Sequence, residues 1–146
     1  MAQVTKLAMV ILMQSDLEAA VEFYKKLGLV LVFHIKERWA EFDLNGIKVG
    51  LCPSAQPIVD FRTGIVFEVP DVRKIYEDQK AIGSFLGEPT EAVHGIMVSL
   101  KDPGGNIIDL YQPTPEKVKL MAEQAAACKQ NKQNDDCCRP KEQACC

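Results

Sequence analysis

Apolar positions recur with two different periods along this chain, and the switches between them mark its elements. "LAMVILM" (7–13) is an apolar run of strand length. It leads into "SDLEAAVEFYKKLG" (15–28), where Leu17, Ala20, Val21, Tyr24 and Leu27 follow the three- and four-residue steps of a helix with one buried face. "GIVFEV" (64–69) and "PDVRKIYEDQKAIG" (70–83) repeat that plan, with Val72, Ile75, Tyr76 and Ile82 on the apolar stripe. Asp16 and Asp71 open the helices, Ser15 with Glu18 fits a capping box, and Gly28 and Gly83 fit the left-handed position that ends a helix. The matched residues stand 55 positions apart (71 − 16 and 83 − 28).

Each half then closes on paired strands. In the first, "LVLVFHI" (29–35) precedes "WAEFDL", which turns through Asn45-Gly46 into "IKVGLC"; Asn-Gly is a strong hairpin signal. In the second, "GIMVSL" turns through "KDPGGN" into "IIDLYQ", while the counterpart of 29–35 after Gly83 has no defined pattern. Each half therefore reads β-α-β-β-β, a duplicated module in an α+β domain. Module one covers about 5–53 and module two about 61–113, joined by the linker "PSAQPIVD" within a domain over 1–115. Thr114 as cap and Pro115 at the first helical position predict a C-terminal helix over 116–128, with Val118, Met121, Ala125 and Cys128 on its inner side. Residues 129–146 are polar and predict an unstructured, Cys-rich tail.

Strand residues alternate between faces, so parity divides the strands. Ala8, Val10, Leu12, Val49, Leu51, Ile65, Phe67, Val69, Ile108 and Leu110 form a set without polar side chains, assigned to the face under the helices. The opposite set mixes apolar, small and polar groups, the composition of a ligand pocket. Its candidate binding residues are Met9, Ile11, Trp39, Cys52, Val66, Glu68, Met97, Ser99 and Tyr111. It also holds Asp109, an acid flanked by Ile108 and Leu110. Asp109 is the candidate catalytic residue, as a hydrogen-bond acceptor for ligand or as a buried general base.

Composition narrows the function classes. A length of 146 residues suits one domain with a real core, and 47% hydrophobic with 25% charged residues is globular. With a net charge of −3 and dispersed Lys and Arg nothing marks a nucleic-acid surface, and no apolar run is long enough to span a bilayer. The expected location is cytoplasmic. Of six cysteines, Cys128, Cys137, Cys138, Cys145 and Cys146 lie near the C-terminus, where adjacent pairs make a poor disulfide framework. Cys137, Cys138, Cys145 and Cys146 are instead possible ligands for a soft metal or metalloid.

"SDLEAAVEFYKKLGL", with its Phe23-Tyr24 pair, and "DPGGNIIDLYQP" resemble the vicinal oxygen chelate (VOC) superfamily of glyoxalase I, extradiol dioxygenases, fosfomycin-resistance enzymes and bleomycin-resistance proteins. The resemblance spans about residues 5–113 and implies curved mixed sheets around a cavity, and a homodimer. It also implies metal-ligand positions at Met9, Gly50, Gly64 and Asp109, of which only Asp109 offers an oxygen. His34, His94, Glu41 and Glu68 are the residues from which a relocated site would be built. The expectation is a bleomycin-resistance-like binder of small molecules with no cofactor. The alternatives are a glyoxalase- or dioxygenase-like enzyme holding a divalent metal through non-standard ligands, and soft-metal handling by the tail.

Overall fold

The structure, a computed structural model, describes residues 3–80 and 84–130. The two modules fold as the repeat predicts. Module one contains β1 (Met9–Gln14), α1 (Leu17–Lys26), β2 (Val30–Ile35), β3 (Trp39–Leu44) and β4 (Ile47–Pro53). Module two contains β5 (Phe61–Glu68), α2 (Val72–Gln79), β6 (Thr90–Glu91), β7 (Gly95–Lys101) and β8 (Asn106–Pro113); α3 (Pro115–Gln130) follows. The sheets are ordered β1-β4-β3-β2 and β5-β8-β7-β6, with β1–β4 and β5–β8 parallel and the remaining pairs antiparallel. No helix among the described residues is long and apolar enough to cross a membrane. Gly83 and the paired cysteines of the tail lie outside the described residues.

Local chemistry explains the element ends. Asp16 and Asp71 each accept a hydrogen bond from the backbone N–H three residues on, so each caps its helix. The capping box of Ser15 and Glu18 does not form, because Asp16 occupies the cap. Glu18 instead accepts from the Glu37 N–H at 3.0 Å and lies 3.1 Å from His34 Nε2. The backbone contact is the main cause that holds the Glu18 carboxyl below its usual range. Asn45 and Gly46 both take positive φ, 51° and 88°, as the two-residue hairpin requires. β5 begins three residues before the apolar run that announced it, and the missing counterpart of β2 is a strand of two residues, β6.

Most of the face assigned to the helices is the core, while Ala8 lies before β1 and is exposed. Leu12, Val49, Leu51, Phe67, Ile108 and Leu110 are buried against Leu17, Ala20, Val21 and Tyr24 of α1 and Val72 of α2, in one cluster spanning both modules. α3 contributes little to it: Val118, Leu120 and Met121 remain exposed.

A polar node ties the modules together at the "KDPGGN" turn. Asp102, 3% exposed, receives five hydrogen bonds. They come from Gln14 Nε2 at 2.6 Å, the Tyr24 hydroxyl at 2.8 Å, the backbone N–H groups of Gly104 and Asn106, and Asn106 Nδ2. Asn106 Nδ2 also donates to the Met13 carbonyl at 2.8 Å. Module one thus supplies the end of β1 and the last turn of α1, and module two supplies the turn that sets β8.

Burial, helped by the Asp102 charge, pushes the Tyr24 phenol far above its ordinary range. The folded state therefore favours the protonated phenol. That preference is intact below the unfolded value of about 10 and is lost as pH rises beyond it. Urea midpoints measured from about pH 8 to about pH 11 are expected to fall more steeply for the wild type than for Tyr24→Phe, which has no proton to lose. Parallel pH profiles would show that Tyr24 does not carry this effect.

Candidate functional site

The face opposite the helices carries two quasi-equivalent centres, which gather five of the ten candidates: Met9 and Trp39 in module one, and Met97, Ser99 and Asp109 in module two. Ile11 faces Gly50 across the β1–β4 pair, and Val66 faces Asp109 across the β5–β8 pair. Ile11 and Val66 are related by the 55-residue offset, so Gly50 and Asp109 hold corresponding places. On the neighbouring strands Glu41 lies opposite Gly50, and Ser99 opposite Asp109.

In module one, the space in front of Gly50 is filled. A Cβ built there would lie 2.5 and 2.7 Å from two indole carbons of Trp39 and 3.1 Å from the Met9 sulfur. Beside them Glu41, largely buried, is paired with Lys48 at 2.9 Å.

In module two, Asp109 is engaged but accessible. The Ser99 hydroxyl donates to Asp109 Oδ1, and Arg62 Nη1 lies 3.6 Å from the same oxygen. Among the described residues Oδ2 accepts no hydrogen bond. The Asp109 side chain is 16% exposed and that of Arg62 57%. Together with Leu86, Glu88, Thr90 and Met97 they line a cleft of about 420 Å³.

Arg62 reaches Asp109 because β5 is irregular. From Arg62 to Val66 the strand takes four steps, while β8 takes two between their partners Ile107 and Asp109. Gly64 sits in this bulge at φ 73°, and the Thr63 hydroxyl stabilises it by donating to the Ile107 carbonyl at 2.8 Å and accepting from the Ile65 N–H. The bulge turns position 64 out of the regular strand and leaves Arg62 as the diagonal same-face neighbour of Asp109. Arg62 was absent from the sequence-derived set because the apolar run defining β5 starts at Gly64.

The other candidates disperse. Ile11 lines a separate apolar cleft of about 640 Å³ between β1 and β5, with Met13, Val59 and Phe61. Glu68 belongs to a third cleft with Asn45 and Gln112, not to that of Asp109. Tyr111 lies opposite Met97, donates to the His94 carbonyl at 3.2 Å and meets the His94 ring edge-on. Cys52 is half-buried at the end of β4, opposite Met13, and Val66 is exposed. His34, engaged with Glu18 of α1, points to the helix side, away from Asp109.

The match to known proteins agrees with this architecture. The model of the Glyoxalase/Bleomycin resistance protein/Dioxygenase superfamily matches residues 6–110. The chain belongs to this superfamily. No curated protein matches it in sequence. Among solved superfamily-type structures, a glyoxalase/bleomycin resistance protein/dioxygenase from Nocardioides is 20% identical, with TM-score 0.61, over 77% of this chain and 86% of that one. TnmS3, an antibiotic binding protein from Streptomyces sp. CB03234, is 22% identical, with TM-score 0.63, over 78% and 100%. A variant of the fosfomycin resistance protein FosX from Listeria monocytogenes, complexed with Mn(II) and 1S,2S-dihydroxypropylphosphonic acid, is 16% identical, with TM-score 0.64, over 80% and 98%. At these identities the likeness concerns the fold.

For the superfamily's metal, the four positions implied by the resemblance do not provide a cage. Met9 offers a thioether, and Gly50 and Gly64 offer no side chain. The indole blocks the first glycine, and positive φ disfavours any ligand residue at the second. Asp109 is already engaged by a guanidinium and a hydroxyl. A divalent ion takes roughly four to six donors, so this set does not fit one. Among the described residues, no three of His, Cys, Asp and Glu come together to hold an ion elsewhere.

Proposed function

We propose that this superfamily member binds a small organic molecule on its concave face without a divalent metal. One observation carries the reading: the place where a ligand side chain at position 50 would project is taken by the Trp39 indole. The FosX variant in complex with Mn(II) has the same fold, and an antibiotic-binding neighbour has it too, so the fold accommodates both modes. The donor chemistry of this chain favours the second. Trp39 and Met9 present an aromatic and polarisable wall, and Arg62, Ser99 and Asp109 present a few placed polar groups, the usual make-up of a ligand site.

We also propose a homodimer. Ile11, Met13 and Val66 leave apolar area exposed on the face opposite the helices, and a second copy would cover it. Sedimentation at micromolar concentration is expected to give twice the chain mass; a monomer there would remove this part of the reading.

Metal analysis tests the main claim. Protein purified with and without residues 129–146 is expected to carry no stoichiometric divalent ion in its body. An ion present only in the full chain would assign soft-metal capture to the tail. About one equivalent retained after truncation and released by Asp109→Ala would overturn metal-independent binding in favour of the enzyme.

A further inference from the structure

We propose that Arg62 and the open oxygen of Asp109 form a two-point receptor for an organic oxyanion that carries a hydroxyl group beside its charged end. The inference rests on the reading of a metal-independent binding site and identifies the ligand chemistry of that site. A carboxylate or phosphonate shares the required chemistry, and the hydroxyl is what distinguishes the ligand from a simple anion.

The geometry assigns the two points separately. Arg62 is more than half exposed, and its ion pair with Asp109, at 3.6 Å, is longer than a direct charge-assisted hydrogen bond. Its guanidinium therefore keeps donors available to a bound oxyanion, which the planar fork matches in two-pronged fashion. Asp109 Oδ1 faces Arg62 and Ser99, which fixes the carboxylate and orients Oδ2 as an acceptor for a ligand O–H. An anion alone would gain from Arg62 and be repelled by Asp109 and by Glu88 in the same cleft. A ligand whose hydroxyl reaches Oδ2 while its oxyanion meets Arg62 turns that repulsion into a hydrogen bond. Thr90 supplies a further hydroxyl, and Leu86 with Met97 an apolar wall for the carbon skeleton.

The bulge at Gly64 gives this arrangement its logic. It removes one of the superfamily's metal-ligand positions from the sheet and leaves a fixed cation, Arg62, next to the surviving carboxylate. Positive charge toward the ligand is then supplied by a side chain.

The test is a titration of the full-length protein in the presence of EDTA, followed by NMR through the Arg62 Nε–H and the Ser99 and Asp109 amides. The probes are hydroxymethylphosphonate, methylphosphonate, glycolate and propane-1,2-diol. Hydroxymethylphosphonate and glycolate are expected to shift these signals, and hydroxymethylphosphonate to bind about tenfold more tightly than methylphosphonate, the worth of one hydrogen bond to a charged acceptor. Propane-1,2-diol should not bind. A response to hydroxymethylphosphonate without one to glycolate assigns the site to phosphonates and still supports it. Arg62→Ala should abolish anion binding. Asp109→Asn should retain it and lose the preference for the hydroxylated phosphonate.

Equal affinity for the two phosphonates, binding that persists in Arg62→Ala, or binding that requires added Mn(II) would each overturn the receptor. The comparison of the two phosphonates uses the unaltered protein, so a poorly folded variant does not remove the test. Failure of the titration would leave the metal analysis standing, and a stoichiometric ion would be detected there independently of Arg62.

Discussion

Asp102→Ala is expected to lower the stability of the chain by about 3–5 kcal/mol, the range for uncovering the partners of a buried charge. The carboxylate is almost fully enclosed and takes five donors from three separate segments. Alanine leaves the Tyr24 hydroxyl, the Gln14 amide and two backbone N–H groups unsatisfied where water has little access, and each such group carries its own desolvation cost. Asp102→Asn preserves volume and one acceptor oxygen but turns an NH₂ group toward at least one donor, so a smaller loss is expected. Domains are stable by about 5–15 kcal/mol, so the alanine variant should be partly unfolded under mild denaturation. Urea melts followed by far-ultraviolet circular dichroism measure this directly. A loss below about 1 kcal/mol would mean that the node does not hold the modules together. The consequence reaches the site, because Asn106 begins β8, and the register of that strand places Asp109 beside Ser99 and Arg62.

The repeat makes the fold legible in the sequence. Its two helices, the Asn45-Gly46 hairpin and the parity of the core face follow from periodicities and turn residues that act over a few positions. What the sequence left hidden depends on contacts between segments far apart. Asp102 lies 88 residues from Gln14 and 78 from Tyr24, and in the sequence it is simply an acid before a Pro-Gly turn. Arg62 was hidden for a local reason: Thr63 and Gly64 interrupt the apolar alternation, so a bulged strand resembles a loop followed by a shorter strand. The positive φ of Gly64 is the physical fact behind that interruption. Glu68 shows the limit of parity, which fixes the side of a sheet but not the cleft. Parity puts Asp109 on the face opposite the helix-covered one, while its companions emerge only from the placement of β5, β7 and β8 together.

The second large effect concerns Gly50. A methyl group there would meet indole carbons of Trp39 at 2.5 and 2.7 Å, well inside ordinary contact. Gly50→Ala is therefore expected to cost about 1–3 kcal/mol by overpacking. Trp39→Phe removes the outer ring atoms that cause the clash and should cost about 1 kcal/mol on its own through lost packing. If the two residues compete for one space, the double variant should be more stable than the sum of the single effects by about 1 kcal/mol or more, since neighbours in contact couple by that amount. Trp39 is the sole tryptophan, so its fluorescence reports the displacement directly. Strict additivity would show that the ring moves aside without cost, and the argument that it closes the first module's ligand position would fail. The same crowding predicts that Gly50→His does not by itself create a metal centre. A histidine at position 50 must expel the indole, and Gly64 still holds a left-handed backbone where the next ligand would have to stand. A metal centre here would need changes on two strands at once, at position 50 of β4 and position 64 of β5.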